Sequence, residues 1–222
     1  TPPPSGSYCW WSNRGDSISS TLTRKLTLTD ISQATLNFKV WYETEDNWDY
    51  AYIQVSTDNG TTWDVLSSKH TTTNNPVGNS YGPGYSGYSK IWLNDTVDLS
   101  RYAGQEVLLR FYYVTDDAIN GSGICIDDIS IPETGFYDNV EAIDSEWQPH
   151  GFTRTNNRVS QSFTVLVVTE GDLNSVVEMD LNRNNSGELT LNALDKSKRT
   201  TIIVAPTAPA TLQEISYSLN VE

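Results

Sequence analysis

Three groups of carboxylates offer the most chemistry in this chain. Glu43, Glu45, Asp46 and Asp49 fall within seven residues, Asp116 and Asp117 are neighbours, and Asp127 and Asp128 interrupt the apolar phrase ICIDDISI. A hard cation takes roughly six to eight oxygens from such groups, and calcium accepts the irregular geometry of a loop. Structural calcium is therefore the expected use of these acids, with Glu45, Asp46, Asp49, Asp127 and Asp128 as candidate ligands. Consecutive strand residues face opposite ways, so one of Asp127 and Asp128 is expected among apolar neighbours, where an unpaired carboxylate costs several kcal/mol. Arg110, in VLLRFYYV, is the rival partner to a cation there, and plain solvated loops are the third reading. A glycosidase-like acid and base pair finds no second feature to select it.

Two further sets of side chains carry chemistry. Cys9 and Cys125 are the only cysteines. In an exported chain they would join in one disulfide, closing a loop of about 115 residues and contributing roughly 4–5 kcal/mol in the chain-entropy picture; the alternative is two unrelated buried thiols. Tyr81, Tyr85, Tyr88 and Trp92 surround a Gly-rich stretch, GNSYGPGYSG, and could stack against a sugar or a protein surface, or else fold inward as core.

These groups must be positioned by strands. Leu22, Leu26 and Leu28 share one parity, as do Leu36, Phe38, Val40 and Tyr42, then Ala51, Ile53 and Val55, then Val107, Leu109, Phe111 and Tyr113. That alternation is the signature of half-buried strands, and nothing in the first 135 residues repeats at helical spacing over three turns. Asp58, Asn59 and Gly60 punctuate a hairpin. Pro132 to Gly135 ends a strand and is read as a linker, giving one β domain over 1–135 and a second over 136–222. Five strand-like runs, at 159–169, 176–182, 188–194, 199–205 and 214–221, predict a smaller β-sandwich in the second. The fold class expected is all-β, a jelly roll followed by a small sandwich. In a jelly roll the first and last strands commonly lie side by side, which would bring Cys9 near Cys125.

Charge narrows the partners. With 28 acids against 14 bases the net charge is −14, which repels phosphate backbones and anionic lipid, so nucleic acid is not an expected partner. No apolar run approaches the roughly 20 residues of a membrane span. The opening TPPPSGSY lacks the features of a signal peptide, and Thr1 is read as a boundary within a larger protein.

The phrases WWSNRGDS (10–17), WYETEDNWDYAYIQVSTDNGTTW (41–63), GPGYSGYSKIW (82–92) and VDLSRYAGQEVLLRFYYVTDDAINGSGICIDDISI (97–131) resemble, in order, the C-terminal region of secreted bacterial metallopeptidases of the immune inhibitor A type. GFTRTNNRVSQSFTVLVV and APTAPATLQEISYSLNVE are similar to the terminal segment of those proteins. The resemblance implies a MAM-like, concanavalin-like jelly roll that accompanies a catalytic domain of the same polypeptide, and a secreted, extracellular location. It also implies a turn around Gly15 and Asp16 from which Asp16 would reach a cation. The zinc motif of the family, H-E-x-x-H, is missing: His70 and His150 are the only histidines and neither precedes Glu. No zinc and no catalytic residue are expected in this region. The function expected is accessory, positioning or stabilising the catalytic domain or binding protein substrate. Its rivals are a carbohydrate-binding module that grips a surface glycan and an adhesion module.

Overall fold

A computed structural model describes residues 1–158, 161–170, 176–191, 199–207 and 214–221. These fall into two units, Thr1–Asn157 and Arg158–Glu222.

The first unit is two packed antiparallel sheets. One is built from β1 (Cys9–Trp11), β3 (Thr35–Glu43), β6 (Leu93–Asp98), β8 (Gly123–Ile131), β9 (Phe136–Asp138) and β11 (Thr153–Thr155). It runs β11-β1-β8-β3-β6, with β9 paired to the end of β8. The other is built from β2 (Ser19–Thr27), β4 (Tyr50–Ser56), β5 (Asp64–Leu66), β7 (Glu106–Val114) and β10 (Gln148–His150), in the order β10-β2-β7-β4-β5. The alternation read from the sequence selects the inner faces: Leu36, Phe38 and Val40 meet Leu22, Ile53, Leu109 and Phe111, all nearly or fully buried. Phe38 and Phe111 pack edge to face across the gap, 5.2 Å between centroids at 67°. The hairpin turn is where it was expected, with Asn59 and Gly60 both at positive φ before β5. Asp58 holds it: its carboxylate accepts from Thr62 Oγ1, Thr62 N and Ser56 Oγ, which together hold its pKa down at about 2.

The boundary expected at 135 is corrected to 157. Pro132–Thr134 forms only a single 3-10 turn, closed by Gly135 in the left-handed region, and the chain returns at once to pair with β8 through Ser130 and Tyr137. β10 then adds to the edge of one sheet and β11 to the edge of the other. Val140, Trp147 and Phe152 from this segment complete the core, Trp147 lying 5.9 Å from the Phe111 ring. Pro149 within β10 is tolerated because an edge strand need not donate on its outer side.

A bulge changes the reading of β8. Asp128 has φ +47, and the pairing with β3 slips by one there, between Lys39 opposite Asp127 and Asn37 opposite Ser130. Ile124, Ile126, Ile129 and Ile131 all reach the core, so Asp127 and Asp128 both face away from it. Neither enters the space between the sheets, because the bulge suspends the two-residue period, yet Asp127 is the buried one of the pair and takes a backbone donor, the Asp128 amide.

In the second unit β12 (Phe163–Thr169), β13 (Val176–Glu178) and β14 (Thr200–Pro206) form one antiparallel sheet, β13-β12-β14. Val165 and Val167 turn to its covered side. Residues 214–221 and 188–191 carry no strand, contrary to expectation, and 192–194 lie outside the described residues, as do 159–160. Five strands are thus not found among the described residues. Asn182 Oδ1 accepts the amides of Asn184 and Ser186, which closes a tight turn.

Candidate functional site

Glu45 and Asp49 occupy the connection from β3 to β4. The Glu45 carbonyl accepts from Trp48 N at 3.3 Å and Asp49 N at 3.0 Å, so the connection closes as a single α-turn that brings Glu45 and Asp49 together. Asn47 takes φ +67 to complete it. Asp116, two residues past the end of β7, reaches the same point, so that carboxylate oxygens of Glu45, Asp49 and Asp116 all lie within 4.8 Å of one another. Close backbone packing holds the loops in place: a Cβ at Gly121 would collide with the Glu43 carbonyl oxygen.

The electrostatics are those of crowded anions. Asp49 is fully buried; its Oδ1 accepts from Asp116 N at 3.1 Å and its Oδ2 weakly from Glu45 N at 3.4 Å. Burial pushes its pKa up to about 6, against the lowering by those two amides and with help from the Asp116 and Glu45 charges. Loss of hydration and then the Asp116 charge push Glu45 up as well. Three carboxylates this close repel until a proton or a cation intervenes. All the donors are oxygen, which suits a hard divalent ion, and the irregular loop suits calcium better than magnesium, which demands near-octahedral geometry.

The structure thus brings together two of the expected ligands, Glu45 and Asp49, and adds Asp116. It leaves four outside. Asp46 is not among the converging carboxylates and lies beside Gly87. Asp16 accepts from Asn120 Nδ2 at 2.6 Å, although the amide of Ser17 next to it donates to the Asp116 carbonyl. Asp127 and Asp128 lie on the other sheet: Asp128 is ion-paired to Lys39 at 2.8 Å and accepts from Ser5 Oγ and Tyr137 OH. Arg110 pairs with neither, as its guanidinium covers Trp63 and donates to Gln54.

The expected aromatic surface also divides. Tyr85 is fully buried, donating to Asp95 Oδ2 at 2.6 Å and packing 5.2 Å from the Tyr42 ring, so it is core and not ligand surface. Burial and the Asp95 carboxylate push its hydroxyl pKa well up. Trp92 is half-buried and donates from Nε1 to the Pro2 carbonyl. Tyr81 and Tyr88 are exposed. Tyr81 heads a stack unforeseen in the sequence, 5.7 Å from Tyr52 and 6.5 Å from Tyr112. It shares with Trp48, Val114 and Asp116 a shallow cavity of about 310 Å³ beside the carboxylates.

One cluster imitates a nucleophile triad. Ser68, His70 and Asp95 lie together, with His70 Nδ1 3.2 Å from Asp95 Oδ2. Ser68 Oγ, however, donates to Asp95 at 2.6 Å, so the carboxylate and not the imidazole takes its proton and the hydroxyl gains no general base. His150 lies in β10 opposite Thr21, on the other sheet from Asp95.

Two antiparallel sheets, with a carboxylate-lined connection at one end, define a β-sandwich. The family described as immune inhibitor A-like, MAM domain, matches residues 1–157, and the chain belongs to it. It is 36% identical over 155 residues to the pre-pro-metalloprotease PrtV of Vibrio cholerae serotype O1, covering 68% of this chain and 16% of that protein. It is 29% identical over 145 residues to immune inhibitor A of Bacillus thuringiensis subsp. alesti, covering 63% and 20%. Bacillopeptidase F of Bacillus subtilis is 28% identical over 98 residues, 44% of this chain and 6% of that one. The chain therefore spans a fifth or less of the relatives it matches. No helix among the described residues is long and apolar enough to cross a membrane.

Proposed function

We propose that this region is a non-catalytic accessory part of an exported bacterial metallopeptidase, in which the Glu45, Asp49 and Asp116 loops bind structural calcium and present the end of the sandwich to the catalytic domain of the same polypeptide or to its protein substrate. The observation that carries the reading is the convergence of these three carboxylates, from two separate connections, at one end of a family-typical two-sheet fold. Calcium there would fix the connections β3–β4 and β7–β8 relative to one another, with peptide carbonyls and water completing its shell. Zinc has no suitable donor set in that cluster, which lacks nitrogen and sulfur. Membership of a family whose relatives include a pre-pro-metalloprotease supports the extracellular placement and the peptidase context.

Titration of this chain with the separately produced catalytic domain of its parent, in calcium, tests the partner. Saturable binding weakened at least tenfold by Asp116→Asn is the expected result. No binding to that domain or to protein substrate, together with retention on a polysaccharide matrix that Tyr81→Ala abolishes, would replace this reading with the carbohydrate-binding one.

A further inference from the structure

The face of the first sheet that turns away from the core holds a second cluster. Trp11 stands opposite Cys125 in the pairing of β1 with β8, and continuing that register by one pair on either side of Ile126 sets Cys9 opposite Asp127. Cys9, Cys125 and Asp127 therefore share a face, with the two cysteines as diagonal neighbours on adjacent strands. Cys9 and Asp127 are fully buried, while Cys125 keeps 8% of its surface open. Both cysteines are buried and unbonded to one another, and each bears on the other's environment. Diagonal partners stand roughly 7–8 Å apart at Cα, at the upper limit for a disulfide, so closing the bond draws β1 slightly toward β8.

Asp127 makes the pair unusual. Its Oδ1 accepts from the Asp128 amide at 2.7 Å, but Oδ2 is buried without a hydrogen-bond partner. Lys39, directly opposite on β3, gives its ammonium to Asp128 instead. The other charges that bear on Asp127 are Asp128 and Glu141, and Glu141 is occupied by the amides of Ser7 and Tyr8. Contact with Cys9 and burial push the Cys125 thiol well up from its ordinary range, Asp127 adding to the rise and the Thr1 amine opposing it, so this thiol needs a base before it can react. A buried carboxylate oxygen left open beside two thiols needs a reason, and accepting a proton from them is one.

We propose that Cys9 and Cys125 are a redox site that closes to a disulfide by exchange with a small-molecule disulfide, Asp127 accepting the thiol proton. Cys125, the only one with any exposure, reacts first: its proton passes to Asp127 Oδ2, its sulfur attacks one sulfur of the reagent disulfide, and the reagent's other sulfur leaves as thiolate. Cys9 then attacks the Cys125 sulfur of the mixed disulfide and releases the second reagent thiolate. Two protein thiols are oxidised, one reagent disulfide is reduced to two thiols, and the protons end on the leaving thiolates. The carboxylate of Asp127, pushed up to about 7 by burial, is matched to that transfer near neutral pH. The bond would lock β1, which carries β11 on its other edge, to the central strand β8. This inference does not depend on the accessory role.

The test uses the whole chain, reduced and folded, with oxidised glutathione as the probe. Intact mass after acid quench and alkylation should show loss of two hydrogens. Cys9→Ser should trap one glutathione on Cys125, whereas Cys125→Ser should leave Cys9 unmodified. Asp127→Asn should slow closure about tenfold at pH 7 and flatten the pH profile between 6 and 8, with far-ultraviolet dichroism unchanged. Two alkylatable thiols persisting in the wild type, even after refolding in a glutathione redox buffer, would overturn the site. If Asp127→Asn fails to fold, Asp127→Glu provides the second reading and should shift the pH profile. A profile unmoved in whichever variant folds would overturn the role of Asp127.

Discussion

Calcium at about 10 mM is expected to raise the melting temperature of the first unit by roughly 5–10 °C. An extracellular calcium module with a dissociation constant of about 10⁻⁴ M gains about 2.7 kcal/mol at that concentration. Each kcal/mol moves the midpoint of a unit this size by about 2–4 °C. The effect has a pH signature. Without the ion, Asp49 has a folded pKa of about 6 against an ordinary 3.8, so it favours the folded protein while protonated. That contribution is complete below the ordinary value and is lost as pH rises through about 6. Asp127, raised to about 7, acts with the same sign over a slightly wider window. The metal-free chain should therefore lose stability between about pH 4 and 7 from these two groups, and calcium should restore the Asp49 part and stabilise chiefly above pH 6. Asp49→Asn should stabilise the metal-free chain at neutral pH and abolish most of the calcium response. Scanning calorimetry at about pH 5 and pH 7.5, with calcium and with excess chelator, reads both. A midpoint indifferent to chelator at the higher pH would remove the ion from the account.

Trp147→Ala is expected to cost about 3–5 kcal/mol, the range for deleting a large buried aromatic. Its ring is buried against Phe111 and beneath Arg24, and its indole N–H donates to Asp138 at 2.9 Å. Truncation leaves a cavity between the sheets and an Asp138 carboxylate short of a donor. The same reasoning predicts that a chain ending at Asn157 folds cooperatively and one ending at Gly135 does not. The shorter chain would lose β9, β10 and β11 and would uncover core around Phe111 and Trp10. Urea unfolding followed by tryptophan fluorescence measures the first effect and near-ultraviolet dichroism of the two truncations the second. A folded 1–135 would show that 136–157 is an appendage.

Much of the sandwich is legible in the sequence because period two is a direct consequence of pleating: Leu36, Phe38 and Val40 cannot all be buried any other way. The boundary is not, because β9 to β11 are three residues each, include Pro149 and lie partly exposed, so they carry no alternation to detect. Their strand character comes from neighbours that supply the hydrogen bonds. The site is legible in part. Glu45 and Asp49 are spaced for a single α-turn, but Asp116 joins them only because β7 lies beside β4 in the folded sheet. The bulge at Asp128 depends on a left-handed backbone at a residue other than glycine, which no local pattern announces. Tyr85 turns inward because Asp95, ten residues on, offers an acceptor for its hydroxyl.

This region is proposed to bind and position without cutting. Incubation of the purified chain with casein, in zinc and calcium, tests it most directly. The account predicts no release of acid-soluble peptides above a buffer blank over a day. Hydrolysis that depends on zinc, disappears with chelator and is lost in His70→Ala or His150→Ala would contradict it.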